Sequence, residues 1–109
     1  MGGPSFEVSV TWENRHPVLS IRGELDYGTA SVLQNALRDV LQEGAEQITV
    51  DLSEVTFLDS EGVKVLLSAY RKLRDTGRTM DVRGCSRFVA NVFEILGLSK
   101  YLQITIHDR

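Results

Sequence analysis

The sequence predicts an α/β domain on a mixed β-sheet, an N-terminal antiparallel hairpin followed by β-α-β units, with helices mainly on one face. Three observations predict it. Two short alternating apolar/polar runs stand near the start with only a turn between them. Three apolar stripes at helical spacing follow, each separated from the next by another alternating run. The later runs keep polar residues at every second position, which leaves one sheet face wet, unlike a doubly wound sheet covered on both sides.

The first strand is Phe6, Val8, Val10 and Trp12 alternating with Glu7, Ser9 and Thr11. Glu13 to Pro17 turns the chain, and Val18 to Arg22 returns as the second strand, with Pro17 at its start, where a missing N–H does no harm. Ala30, Leu33, Leu37, Val40 and Leu41 then form the first helical stripe, from about Thr29 as N-cap to about Glu43, before Gly44. Ile48, Val50 and Leu52 make a third strand ending at Ser53. A second helix begins near Ser60, carries Val63, Leu66, Leu67, Tyr70 and Leu73 on one face, and stops at Asp75-Thr76-Gly77. Met80 and Val82 mark the fourth strand. Val89, Val92, Phe93 and Leu96 mark the third helix, which Gly97 and Leu98 end, and Leu102, Ile104 and Ile106 mark the last strand. Helix-length crossovers make the strands they join parallel, whereas the hairpin is antiparallel.

A chain of 109 residues supports one core, so the expected organisation is a flexible leader over 1–5 and a single domain over 6–109. Apolar residues at 42% and charged residues at 25% are those of a folded domain rather than a disordered chain. The formal net charge of −3 argues against direct nucleic-acid binding, which needs a basic excess. One cysteine, Cys85, makes neither a disulfide framework nor a zinc site, and fits a reducing cytoplasm. No secretory leader or bilayer-length apolar run is written in the chain, so the expected location is cytoplasmic, with no membrane contact.

The segment Asp59-Ser60-Glu61-Gly62 sets two acids, a hydroxyl and a glycine between apolar runs. Either Asp59 or Ser60 suits the N-cap of the second helix, whose first N–H groups lack intrahelical partners. The same position suits a switch. A phosphate on Ser60 would meet the positive end of the helix and free backbone donors, and would add about −1.5 to −2 charges beside Asp59 and Glu61, enough to repel a docked partner. Gly62 would either let another backbone come close or merely loosen the first turn.

The ordered set Gly23-Glu24-Leu25-Asp26 with Thr29-Ala30, then Val50-Asp51-Leu52-Ser53 with Val55, Phe57, Leu58, Asp59, Ser60 and Gly62, then Gly97-Leu98, resembles a STAS domain of the bacterial anti-sigma factor antagonist family. The resemblance runs from about Phe6 to about Ile106. It implies a partner-switching protein: one that binds an anti-sigma factor with serine kinase activity, releases the sigma factor held there, is turned off by phosphorylation at Ser60 and is restored by a serine phosphatase. It places Asp26 and Asp59 in the partner contact region. The expected docking surface comprises Asp26, Tyr27, Thr29, Asp59, Ser60, Glu61, Gly62 and Lys64. Glu61 departs from the small residue usual in the family after the serine.

Strand-end positions would bring Asp26 and Asp59 to one edge of the sheet if the second and third strands are neighbours. No nucleophile and base set accompanies them, so they read as turn formers or partner contacts, not catalytic acids, and no enzyme activity is expected. His16 and His107 lack ligand partners, and no phosphate-binding glycine loop occurs, so neither metal nor cofactor is expected. Trp12 reads as a packing residue, Cys85 as a small buried hydrophobe, and Arg71, Lys72, Arg74 and Arg78 as a solvated basic helix end. The alternative reading is a STAS scaffold without a switch, or a subunit of a larger stress-sensing or transport assembly.

Overall fold

The structure is a computed structural model that describes residues 6–97 and, for its last strand, the backbone of residues 103–106. The expected leader over 1–5, Leu98 of the helix stop, Leu102 and His107 lie outside the described residues. Along the chain run β1 (Glu7–Glu13), β2 (His16–Leu25), α1 (Ala30–Gln42), β3 (Gln47–Leu58), α2 (Ser60–Asp75), β4 (Thr79–Cys85), α3 (Arg87–Ile95) and β5 (Gln103–Ile106). The sheet order is β1-β2-β3-β4-β5, with β1 antiparallel to β2 and every later pair parallel. This is the mixed sheet the sequence predicts.

The hairpin is tighter than the sequence reading. Glu13 pairs with His16, so only Asn14 and Arg15 form the turn, and Asn14 takes a left-handed φ of 62°. Asparagine tolerates that region better than most residues, which makes a two-residue connection accessible.

One face of the sheet carries Leu19, Ile21 and Leu25 from β2, Ile48, Val50 and Leu52 from β3, and Met80 and Val82 from β4. The three helices bury it with Leu33, Leu37 and Val40, then Val63, Leu66 and Leu73, then Val89 and Phe93. The opposite face is polar: Arg22 pairs with Glu7 and reaches Glu54 at 4.0 Å, and Arg83 reaches Asp51 at 3.8 Å. Helices on one face are therefore a direct consequence of strand alternation.

The third strand runs five residues past Ser53, contrary to the sequence reading, and this extension positions the site. Two register shifts against β2 each insert an extra residue of β3: Ser20 pairs with Asp51, Arg22 with Glu54, and Glu24 with Phe57. The buried residues beyond Leu52 are consequently Val55 and Leu58, spaced by three and not by two. Bulges break the period on which strand recognition depends. The strand thus ends at Leu58, opposite Leu25.

Candidate functional site

Because β2 and β3 are parallel neighbours that finish together at Leu25 and Leu58, their following loops leave the same end of the sheet side by side. The Asp59 N–H donates to the Leu25 carbonyl at 3.2 Å, which prolongs the pairing by one bond. The two strand-end acids that the sequence separates by more than thirty positions therefore share one rim.

Asp59 is the N-cap of α2. Its backbone is extended, and its Oδ1 accepts from the Glu61 N–H at 2.9 Å and the Gly62 N–H at 3.1 Å. Its other oxygen, Oδ2, accepts from the Tyr27 N–H at 3.0 Å. One carboxylate thus starts a helix and clasps the neighbouring loop. Of the two capping candidates, Asp59 takes the role, and Ser60 becomes the first helical residue, exposed, with its hydroxyl making no hydrogen bond among the described residues. The free backbone donors expected around Ser60 are also fewer than the sequence reading supposed: the Glu61 and Gly62 amides are held by Asp59, and the Val63 N–H donates to the Asp59 carbonyl at 3.2 Å.

Asp26 organises its own loop. Its Oδ1 accepts from the Gly28 N–H at 3.0 Å and the Thr29 N–H at 3.2 Å, and its carbonyl accepts from the Ala30 N–H at 2.8 Å. Thr29 occupies the N-cap of α1, as expected, but its side chain does not cap that helix. Its hydroxyl instead donates to the Glu24 carbonyl at 2.7 Å and accepts from the Asp26 N–H at 3.0 Å. The half-buried Asp26 and Thr29 thereby hold the loop in a shape that leaves the Tyr27 side chain 82% exposed.

Gly62 is buried, and of the two roles the sequence left open it takes the first: it lets another backbone, the end of β2, come close. A Cβ there would stand 2.6 Å from Leu25 Cγ and 2.9 Å from the Leu25 carbonyl oxygen. Absence of a side chain lets the first turn of α2 press against the end of β2, beneath the rim that Ser60 tops. Glu61 and Lys64 form an ion pair on α2, Nζ to Oε2 at 3.2 Å.

Sequence reasoning missed Phe57. It stands opposite Glu24, 41% exposed, next to the loop that carries Tyr27. The two extra residues together restore the phase set by Ile48, Val50 and Leu52, so Phe57 faces outward where that alternation, continued, would place it; ending the strand at Ser53 is what hid it. Away from the rim, Trp12 lies 38% exposed on the edge strand and His16 is exposed at the hairpin. Cys85 is fully buried at the end of β4; burial, and then the negative charge of Asp51, push its thiol pKa up to about 12. Arg71, Lys72 and Arg74 at the end of α2 are exposed, as expected, with Arg74 over the Tyr70 ring at 5.7 Å, whereas Arg78, beyond the helix, is half-buried and donates to the Ala45 carbonyl at 2.6 Å. Among the described residues no three His, Cys, Asp or Glu side chains converge as metal ligands, and no helix is long and apolar enough to cross a membrane.

The chain matches the family model described as "Mlab, STAS domain" over residues 8–105. It is 32% identical over 106 residues to the anti-sigma-F factor antagonist RsfB of Mycobacterium tuberculosis, covering 95% of this chain and 86% of that one. A crystal structure of an anti-sigma factor antagonist from Mycobacterium paratuberculosis superposes with a TM-score of 0.87 at 28% identity, covering 96% of this chain and 90% of that one. The Bacillus cell fate determinant SpoIIAA in its phosphorylated form shares the fold, with a TM-score of 0.71 at 22% identity over 96% of this chain and 91% of that one.

Proposed function

We propose that this chain, which belongs to the STAS domain family, acts as an anti-sigma factor antagonist controlled by phosphorylation of Ser60. Its partners on this reading are an anti-sigma factor with serine kinase activity, which it engages to release a sigma factor, and a serine phosphatase that resets it. It works in the cytoplasm by binding and not by catalysis. The relatives named as antagonists support the general role. The observation that carries the switch is Ser60 itself: an exposed hydroxyl without a hydrogen-bond partner among the described residues, held at the first position of a capped helix.

The docking surface on this reading is the rim built by the Asp59 clasp. Tyr27 supplies an exposed aromatic contact, a residue type that often dominates protein interfaces. Ser60, Glu61 and Lys64 continue it along α2, Asp26, Thr29 and Asp59 fix its shape, and Gly62 supports it from below. Modification at Ser60 needs no rebuilding of the domain, because the hydroxyl holds nothing together. A phosphate added there places a second strong negative charge beside Asp59, in the contact region itself.

Affinity capture from the native cytoplasm with wild type, Ser60→Ala and Ser60→Asp as baits, read by mass spectrometry of partners and of Ser60, tests this reading. Retention of a kinase-type anti-sigma factor by wild type and Ser60→Ala, with loss on Ser60→Asp, is the expected result. Recovery of one constant set of partners by all three baits, with Ser60 never phosphorylated, overturns it in favour of a scaffold.

A further inference from the structure

Resting on the Ser60 reading, we infer that Lys64 is the residue that receives a phosphate on Ser60, leaving Glu61 to do so. Ser60 and Lys64 are four positions apart on α2, and Glu61 and Lys64 three apart. Both spacings bring side chains onto one helix face, so Lys64 lies within reach of either neighbour. In the unmodified protein it is paired with Glu61 at 3.2 Å, and its side chain is 71% exposed, free to swing.

A phosphoryl group on Ser60 needs donors, and the first turn offers few. Asp59 Oδ1 already takes the Glu61 and Gly62 amides, while Asp59 Oδ2 takes the Tyr27 amide from the adjoining loop. The charged groups closest along the chain and across the clasp, Asp59, Glu61 and Asp26, are all acids. Lys64 is the one cation within a helical turn of Ser60 on α2. A phosphate of about −1.5 to −2 charge competes favourably with a single carboxylate for that ammonium, and offers three acceptor oxygens against two.

The exchange changes what a partner meets. Before modification the Glu61–Lys64 pair is locally neutral, so the acids of the rim are Asp26 and Asp59. After it, Lys64 offsets part of the phosphate and the Glu61 carboxylate is released, so new negative charge extends over the whole first turn of α2. Glu61, tied to Lys64 before modification, becomes an active part of the switch.

Phosphoserine installed at position 60 during synthesis tests the exchange without any kinase, so its outcome is separate from that of the Ser60 reading. The second ionisation of the phosphate is followed by phosphorus NMR at low salt in the otherwise wild-type chain, in Lys64→Met and in Lys72→Met. Lys64→Met is expected to raise that pKa by roughly 0.2–0.4 unit, the size of one helical ion pair, whereas Lys72→Met, far along α2, leaves it in place. In the same samples the Lys64 ammonium resonance shifts as the phosphate titrates. Equal phosphate pKa values in wild type and Lys64→Met, with a Lys64 resonance indifferent to the phosphate, overturn the inference.

Discussion

The Tyr27 N–H donates to Asp59 Oδ2 at 3.0 Å across thirty-two positions of sequence, while the opposite oxygen of the same carboxylate caps α2. The helix that carries Ser60 and the loop that carries Tyr27 are therefore one mechanical unit. Asp59→Ala removes all three side-chain bonds, from Tyr27, Glu61 and Gly62, and is expected to cost about 1–3 kcal/mol in urea unfolding, the sum of a lost cap and an orphaned loop amide. Asp59→Asn retains an acceptor for the helix but turns an NH₂ toward Tyr27. Hydrogen exchange distinguishes them: the Tyr27 amide loses protection in both variants, and the Glu61 amide only in the alanine.

Gly62→Ala is expected to destabilise the fold by about 1–3 kcal/mol, because its Cβ would overlap Leu25 at 2.6 Å and backbone lies just behind. Gly28→Ala is the control. Its nearest neighbour is Asp26 Oδ1 at 3.5 Å, ordinary contact, so its effect should stay within about 0.5 kcal/mol in the same denaturation series.

Tyr27→Ala separates folding from docking. The side chain is 82% exposed, so thermal and urea midpoints should hardly move. Binding to the captured anti-sigma factor should weaken at least about tenfold if Tyr27 anchors the interface. Calorimetric titration reads the difference.

Cys85 should resist thiol reagents in the native state at pH 8 and react fully in denaturant. The folded thiol is raised from 9.0 to about 12, so on raising the pH the unfolded chain loses its proton first. Stability from this group is complete below about pH 9 and is lost as pH rises toward 12. Cys85→Ala should flatten that alkaline slope, measured as urea midpoints between the two limits.

Much of this architecture is legible in the sequence because alternation and helical spacing are direct images of burial. Leu33, Leu37 and Val40 face the sheet as their spacing requires, and Leu19 and Ile21 take the covered face of β2. The end of β3 is not legible in the same way. Two bulges change the spacing of buried residues to Leu52, Val55, Leu58, so that Val55 and not Glu54 turns inward, and this break in period hides how far the strand runs and that Phe57 lies on it, facing outward beside Glu24. At the rim, Asp59 and Ser60 are equally good caps by residue type; tertiary contacts of Asp59, its N–H on the Leu25 carbonyl and its carboxylate on the Tyr27 N–H, accompany the choice of Asp59 as cap and are not written in the local sequence. The close packing of Gly62 is hidden for the same reason, since Leu25 is distant in sequence.

The most direct test of the central claim is the affinity of the captured anti-sigma factor for the purified chain with serine or phosphoserine at position 60, measured by calorimetry in matched salt. Placing the new charge inside the contact region should cost several kcal/mol, a loss on the order of 100-fold or more, with the circular dichroism spectrum of the free domain unchanged. Equal affinity for the two forms would contradict the account and leave Ser60 as no more than the first residue of a helix capped by Asp59.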